Sequence, residues 1–243
     1  MCVHPTAGVI PAGMVAVLAH RGFSHSGLVR LDQHWYLDVN RFARSTSFAH
    51  GFMHWYALYV GVGILGVLLV LGWWRARRAF DPRKSVTAAI WAGAGTIIAV
   101  ALNQPLGHLV GRPRPFLAFP HAEVLVPKTN DFTFPSDHAV GAGAVIAGLF
   151  LLGDRLLAWI AVVVGLFLAF ARVYVGAHYP ADVIAGLLFG AFVVVVLGFL
   201  GRPLIRLGVD FAADARGLRV LVVAPRRRAA PAHSRKASAE WVP

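Results

Sequence analysis

Residues 52–74 read FMHWYALYVGVGILGVLLVLGWW, a run of 23 residues without Asp, Glu, Lys or Arg. About 20 apolar residues in a helix are enough to cross the hydrocarbon core of a bilayer. The run ends in Trp73 and Trp74, and tryptophan is enriched where membrane helices meet water. This stretch therefore predicts a transmembrane helix.

Four more apolar segments follow this run along the chain. They are Val86–Leu109, Ala139–Gly153, Leu156–Ala171 and Val183–Gly201. Across the whole chain 58% of the residues are hydrophobic and only 14% are charged, whereas charged residues make up roughly 25% of an ordinary soluble domain. We therefore expect an all-α, integral membrane helical bundle with five transmembrane helices, formed by residues 49–202.

A separate N-terminal segment, residues 1–48, precedes the first predicted span. Its second half, Leu28–Phe48, mixes aromatic and aliphatic residues with five charged ones, namely Arg30, Asp32, Asp38, Arg41 and Arg44. This mixture is typical of an amphipathic helix that lies in the membrane interface. The earlier apolar stretch Ala7–Ala19 contains Pro11 and is too short to span a bilayer.

The distribution of basic residues indicates both the topology and the class of partner. The formal net charge is +12, which in a soluble protein would suggest nucleic-acid binding. Here Lys and Arg gather between the first two spans and after the fifth, as they do in cytoplasmic flanks of membrane helices. We therefore expect no nucleic-acid partner, a multi-pass plasma-membrane protein, and a basic cytoplasmic tail, residues 203–243, that is largely disordered.

Two stretches on the opposite, extracytoplasmic side concentrate the functional groups. Arg112 and Arg114 lie in the first stretch, and Arg172 lies in the second. Ionisable residues at the ends of membrane helices are candidates for a functional site. Arginine holds phosphate oxygens through forked donors and stays charged. Arg114 and Arg172 therefore predict a phosphate site, and Arg112 is either a further phosphate clamp or a solvated loop charge.

Ser136 and His138 stand where the third predicted span begins. Pro135 and Ser136 suit the start of a helix, and the free N–H groups of a helix start suit a phosphate oxygen. Ser136 is therefore a candidate phosphate ligand. His138 can donate a proton to a leaving oxygen as a general acid.

His178 and Asp182 are four residues apart, so a helix that begins near Pro180 would bring them onto one face. A carboxylate that accepts from one imidazole nitrogen leaves the other nitrogen free to attack phosphorus and form a phosphohistidine. Fixed arginines can stabilise the transferring phosphoryl group, so this chemistry requires no metal and no cofactor. Alternatively, the pair is only a hydrogen-bonded tether between helices.

Taken together, these residues resemble the three motifs of the type 2 phosphatidic acid phosphatase superfamily over roughly residues 50–200. Arg114-Pro115 matches the end of the first motif, and Pro135-Ser136-Asp137-His138 matches the second. Arg172, five residues, His178, three residues and Asp182 match the third. The resemblance implies a six-helix bundle in which His178 is the nucleophile, Asp182 its partner and His138 the acid. It also implies that Arg114, Arg172 and Ser136 bind phosphate.

The chain departs from the family pattern at three positions. Gly107 stands where the first motif has lysine, and Lys128, Arg112 or His108 are candidates to replace that charge. Ala171 stands where the third motif has serine. Asp137 stands where the second motif has glycine, and its carboxylate would oppose an anion unless a cation offsets it.

The amino-acid sequence of these motifs is similar to that of undecaprenyl-diphosphate phosphatases of the bacitracin-resistance type, in which Ser-Asp-His is frequent. That resemblance implies hydrolysis of a polyprenyl diphosphate to the monophosphate at the outer face of the membrane. One alternative is a phosphatase for phosphatidic acid or phosphatidylglycerophosphate, and another is a catalytically silent phospholipid-binding membrane protein. The expected partners are the lipid substrate and membrane lipids. No sequence feature indicates whether the protein is a monomer or an oligomer.

Overall fold

The structure is a computed structural model that describes residues 27–215 and 217–225. Within those residues it is helical and contains no strand, which confirms the expected all-α class. The six main helices are α1 (Gly27–Ser45), α2 (Ser47–Ala76), α3 (Pro82–Val110), α4 (Asp137–Leu152), α5 (Arg155–Tyr174) and α6 (Pro180–Asp214). Two single-turn helices are Pro115–Ala118 and Arg219–Val222.

Each of the five predicted apolar segments lies in a helix, but the five helices differ in their ability to span a membrane. By length and composition, four helices in the described part of the chain can cross a membrane, and these are α2, α3, α5 and α6. Helix α4 is apolar but has only 16 residues, which corresponds to about 24 Å at 1.5 Å per residue. It is therefore shorter than the roughly 30 Å hydrocarbon core.

Helix α4 runs beside α6 with almost no side chain between the two backbones. A Cβ atom on Gly143 would lie 2.0 Å from the carbonyl oxygen of Leu187, and one on Gly190 would lie 1.9 Å from that of Val140. Small residues permit this close approach of helices in lipid. Because the two helices are parallel, their N-terminal ends meet at one end of the bundle.

Helix α1 is amphipathic as predicted, and its polar face is the one that contacts the protein. Its buried residues include Asp32 and Asn40, while Leu28, Trp35 and Phe42 are exposed. Asn40 exchanges hydrogen bonds with the backbone of Glu123, which ties α1 to the loop that follows Pro115–Ala118. The exposed apolar face is the side expected to meet lipid.

The first residues of the segment that was expected to be largely disordered, 203–243, are helical. Helix α6 continues to Asp214, so residues 203–214 are helical despite Pro203. Val209 and Ala213 are buried in a cluster with residues of α3, and Arg83 of α3 binds Asp210 and Asp214. Residues 1–26 and 226–243, which hold Ala7–Ala19 and the run Arg226–Arg228, lie outside the described residues.

Candidate active site

The candidate site lies at the end of the bundle where α4 and α6 begin. Ser136 occupies the cap position of α4, and Tyr179 occupies that of α6. The backbone N–H of Ser136 donates to the carbonyl oxygen of Asp182 at 3.2 Å. This bond joins the second and third sequence motifs side by side.

His178 is only 3% exposed and is held at both ring nitrogens. Its Nδ1 lies 2.8 Å from the backbone oxygen of Thr133, and its Nε2 lies 3.2 Å from a terminal nitrogen of Arg172. Since a carbonyl oxygen can only accept, Nδ1 carries the proton. Nε2 therefore presents its lone pair to the region around Arg172.

The environment of His178 keeps the ring neutral. Burial, followed by the charges of Arg172 and Arg114, places the pKa of His178 well below its usual range. A group whose pKa lies well below 7 is unprotonated at neutral pH, so the nucleophilic form of the imidazole is the resting form.

Asp182 is fully buried but does not bind His178 as the sequence predicted. Its Oδ2 lies 3.9 Å from His178 Nδ1, too far for a hydrogen bond. That oxygen accepts instead from the hydroxyl of Thr133 at 2.6 Å and from the backbone N–H of Tyr179 at 2.9 Å. Thr133 therefore stands between the two, because its carbonyl oxygen binds the ring and its hydroxyl binds the carboxylate.

Arg112 binds two carboxylates, which differs from the phosphate clamp that was one expectation for it. Its guanidinium donates to Asp182 at 2.6 Å and to Asp32 of α1 at 2.5 Å, and it lies 4.0 Å above the centre of the Tyr179 ring. Asp32 also accepts from the backbone N–H of Ala181 at 2.8 Å. Helix α1 is thus connected to Asp182 through one arginine.

Arg114 is engaged by a carboxylate from the loop before α4. Its Nε and one terminal nitrogen bind the two oxygens of Asp131 at 2.9 and 2.7 Å, and its other terminal nitrogen binds the oxygen of Ala177 at 3.1 Å. Burial alone would raise the pKa of Asp131, but hydrogen bonds from Arg114 and Thr129 bring that pKa below its usual value. An ionised carboxylate therefore occupies the fork of Arg114.

Of the five buried side-chain polar atoms that have no partner within the described residues, two belong to predicted phosphate ligands. They are Oγ of Ser136, whose side chain does not cap its own helix, and Nε of Arg172. Buried polar groups are nearly always hydrogen-bonded. Two unpaired ones at a predicted phosphate site are positions where oxygens of a ligand can bind.

A π-helical turn in α2, Tyr56–Val60, supports Arg172 and His138 from the other side. Arg172 donates to the carbonyl oxygen of Ala57 at 3.4 Å, and the backbone of Leu58 lies beside His138. Single π-helical turns inside α-helices are frequent at functional sites because they alter the local hydrogen-bond pattern. His138 also lies close enough to Arg172 and Arg114 to interact with their charges.

The three departures from the family pattern have distinct surroundings. The carboxylate of Asp137 accepts from Asn103 at 2.7 Å and from Gln104 at 3.0 Å, so two neutral amides of α3 hydrogen-bond it without supplying a positive charge. A Cβ atom on Gly107 would lie 3.3 Å from the oxygen of Phe134, beside the second motif. Ala171 is fully buried in a core cluster with residues of α2 and α4.

The three candidates to replace the missing lysine charge contact other side chains. Lys128 lies 5.8 Å from the centre of the Phe116 ring, and His108 packs edge-on against Phe132. Arg112 is bound to its two carboxylates. In residues 27–215 and 217–225, no group of three His, Cys, Asp or Glu side chains is placed to hold a metal ion.

Sequence reasoning therefore located His178, His138, Arg114, Arg172 and Ser136 in one site, and it missed Thr133 and Asp32. Thr133 stands three residues before Ser136, but a single threonine in a loop has no distinctive spacing. Asp32 was assigned only to an interfacial helix. Its position four residues before Tyr36, on the buried face of α1, is the one signal that could have identified it.

Comparison with known proteins supports the sequence resemblance. The PAP2 superfamily model matches residues 88–200. Undecaprenyl-diphosphatase BcrC of Bacillus subtilis (strain 168) is 34% identical over 133 residues, which cover 55% of this chain and 64% of that protein. An undecaprenyl-diphosphatase of Sulfolobus acidocaldarius is 34% identical over 99 residues, which cover 40% of this chain and 47% of that protein. The chain thus spans about half to two thirds of the length of these relatives.

Two further comparisons cover more of the molecule. Decaprenylphosphoryl-5-phosphoribose phosphatase of Mycobacterium tuberculosis (strain H37Rv) is 31% identical over 153 residues, which cover 63% of this chain and 78% of that protein. The crystal structure of a transmembrane PAP2 type phosphatidylglycerolphosphate phosphatase from Bacillus subtilis aligns with a TM-score of 0.54 at 19% identity. That alignment covers 79% of this chain and 94% of the other, and it supports the fold.

Proposed function

The chain belongs to the PAP2 superfamily, and from this premise we propose that it is a membrane lipid phosphatase that hydrolyses a polyprenyl diphosphate to the monophosphate. The observation that carries the proposal is the geometry around His178. A neutral, buried imidazole presents Nε2 beside Arg172, and the unpaired donors of Arg172 and Ser136 lie in the same site. The undecaprenyl-diphosphatases among the relatives favour a polyprenyl diphosphate as substrate.

In the proposed first step, Nε2 of His178 attacks the terminal phosphorus while the bond from that phosphorus to the bridging oxygen breaks. His138 gives a proton to the bridging oxygen, which leaves on the polyprenyl monophosphate. The phosphorylated ring becomes cationic because Nδ1 keeps its proton. The carbonyl oxygen of Thr133 accepts a hydrogen bond from Nδ1–H, and the carboxylate of Asp182, 3.9 Å from Nδ1, stabilises the charge.

In the second step, water attacks the phosphohistidine and gives up a proton to His138. The bond between phosphorus and Nε2 breaks, inorganic phosphate leaves, and His178 returns to its neutral form. Fixed donors from Arg172, Arg114 and Ser136 stabilise the transferring phosphoryl group in both steps, as is usual in phosphoryl transfer.

We place the site on the extracytoplasmic face and the C-terminal region in the cytoplasm. The basic loop between α2 and α3 lies at the end of the bundle away from His178, in agreement with the positive-inside rule. After replacement of Cys2 by serine, an impermeant thiol reagent should label Asn130→Cys from outside intact cells and leave Phe80→Cys unlabelled. Both positions are exposed, so the reverse pattern would invert the topology.

The activity is tested by phosphate release from undecaprenyl diphosphate in detergent with EDTA, with phosphatidic acid assayed in parallel. We expect faster release from the diphosphate, and loss of release in His178→Ala, whose folding is checked by its elution profile and thermal unfolding. Faster release from phosphatidic acid would move the function to glycerolipids. A folded wild-type protein that releases phosphate from neither lipid would favour the silent phospholipid-binding alternative.

A further inference from the structure

The end of the bundle far from His178 contains a cleft between α3 and α6. Its volume is about 340 Å³, and Lys84, Arg202 and Arg206 contribute to its lining. Lys84 lies 19 residues before Asn103, which contacts the site at Pro135. At 1.5 Å per residue the cleft is therefore about 28 Å from the candidate active site along α3.

Two of the lining cations are unpaired within the part of the chain that the structure describes. The carboxylates nearby are occupied, since Arg206 binds both oxygens of Asp210 at 3.0 Å and Arg83 binds Asp210 and Asp214. Neither the ammonium group of Lys84 nor the guanidinium of Arg202 has an ion pair or hydrogen bond to another described residue. The cleft therefore holds two positive charges that no described carboxylate neutralises.

The shape of the cleft suits the head of an amphiphile. Gly198 contributes no side chain to the lining, and a Cβ atom there would lie 3.0 Å from the indole nitrogen of Trp91. On the outer surface of α6, Phe199 is 78% exposed and Leu204 is 71% exposed. A cationic cleft beside an apolar, lipid-facing surface has the arrangement of charges and apolar groups that complements a phospholipid with a negative headgroup.

We propose that this cleft binds the headgroup phosphate of an anionic phospholipid in the leaflet opposite the active site. Lys84 and Arg202 contact the phosphate, and the acyl chains lie along Phe199 and Leu204. Among the described residues that line the cleft there is no histidine or carboxylate, so the lipid is bound there and is not hydrolysed. This site is independent of the proposed phosphatase activity.

The test measures how much a short-chain phosphatidylglycerol raises the unfolding temperature of the full-length protein in neutral detergent. The double variant Lys84→Gln/Arg202→Gln should bind more weakly, by roughly fivefold for each lost cation, because each basic residue near an anionic lipid surface contributes about that factor. Arg202→Lys keeps the charge and should bind better than Arg202→Gln. The matched control Arg78→Gln/Arg155→Gln removes the same charge from exposed positions at the same end and should bind as the wild type does.

Three outcomes would overturn the proposal. Equal stabilisation of the wild type and the double variant would show that the cleft is not the site. Equal stabilisation by phosphatidylcholine would show that the negative headgroup is not recognised, and equal stabilisation by inorganic phosphate would indicate a free anion. Phosphate release by the double variant should stay within about twofold of the wild type, so failure here is distinguishable from failure of the phosphatase proposal.

Discussion

The two ends of the bundle use the same charged residue types in opposite environments. At the candidate active site, Arg172 and Asp182 are buried and each is held by several fixed partners. At the far end, the side chains of Arg83, Arg206 and Asp210 are 37–38% exposed. Charges interact strongly where water is excluded and weakly where it is not. Burial therefore turns one set of charges into a preorganised site and leaves the other open to lipid and solvent.

We expect the largest difference in kcat between a variant that lacks an arginine at the candidate active site and one that lacks an arginine at the far end. Arg172→Ala eliminates the donor beside His178 Nε2 and the unpaired Nε, and loss of one such fixed donor commonly lowers kcat by about 10²–10³-fold. Arg172→Lys should recover only part of the rate, because lysine lacks the planar fork. The measurement is kcat and KM for phosphate release.

The matched substitution at the far end is Arg202→Ala, which should leave kcat within about twofold of the wild type because no contact connects it to the site. Equal rate losses in Arg172→Ala and Arg202→Ala would remove the contrast between the ends. Thermal unfolding of both variants separates a loss of rate from a loss of fold.

A smaller effect is expected for Asp32→Asn, which weakens the connection between α1 and Asp182. The amide can still accept from the backbone N–H of Ala181, but it no longer pairs as an anion with Arg112. Loss of a hydrogen bond to a charged group costs about 1.5–3 kcal/mol. We expect an unfolding free energy lower by about that amount, and kcat lower by about tenfold as Asp182 is less well positioned.

Two variants test this explanation. Asp38→Asn removes a partly exposed carboxylate from the same helix and should change neither quantity. If Asp32 acts through Arg112, the effects of Asp32→Asn and Arg112→Gln should be non-additive in the double variant. Additive effects would mean that Asp32 serves only the local structure of α1.

The parts of the fold and of the candidate site that the sequence could predict are those that depend on residues close together in the chain. The five apolar segments and the positions of His178, Ser136 and Arg172 were accessible because hydropathy and spacing along a helix are local properties. The helix start at Pro180 was predicted correctly, but the bond between His178 and Asp182 was mispredicted because His178 precedes that helix and the i,i+4 rule applies only within a helix. The carbonyl oxygen of Thr133, brought in by a loop, takes that position instead.

Tertiary contacts also explain the two features that the sequence did not predict, the role of Asp32 and the helical structure of residues 203–214. Asp32 became part of the site only because α1 packs its polar face against the start of α6. Residues 203–214 begin the segment that was expected to be largely disordered, yet Val209 and Ala213 supply an apolar face that packs on α3. In both cases the deciding partner is distant in sequence, so composition alone could not reveal it.

A still smaller effect is expected for Asp131→Asn, at the exposed edge of the site. Asp131 is a partly exposed anion, with 57% of its side chain accessible, and it occupies the Arg114 fork that a phosphate would use. Exposed ion pairs contribute about 0.2–1 kcal/mol, so its neutralisation should lower KM by no more than about fivefold. Asp131→Glu keeps the charge and should behave as the wild type does. A higher KM in Asp131→Asn would show instead that Asp131 orients Arg114 for the substrate.

The smallest effect is expected for Arg83→Gln, which removes the exposed bonds from α3 to Asp210 and Asp214. Asp210 keeps Arg206 as a partner, and solvent can hydrate Asp214, so no buried charge is left unpaired. We expect phosphate release within about twofold of the wild type and an unfolding temperature that hardly changes, even at low salt, where exposed pairs are screened least. Helix α3 is continuous from Pro82 to Val110. A tenfold loss of activity in Arg83→Gln would therefore mean that α3 transmits a change at the open end to Asn103 and the second motif, and that the two ends do not act independently.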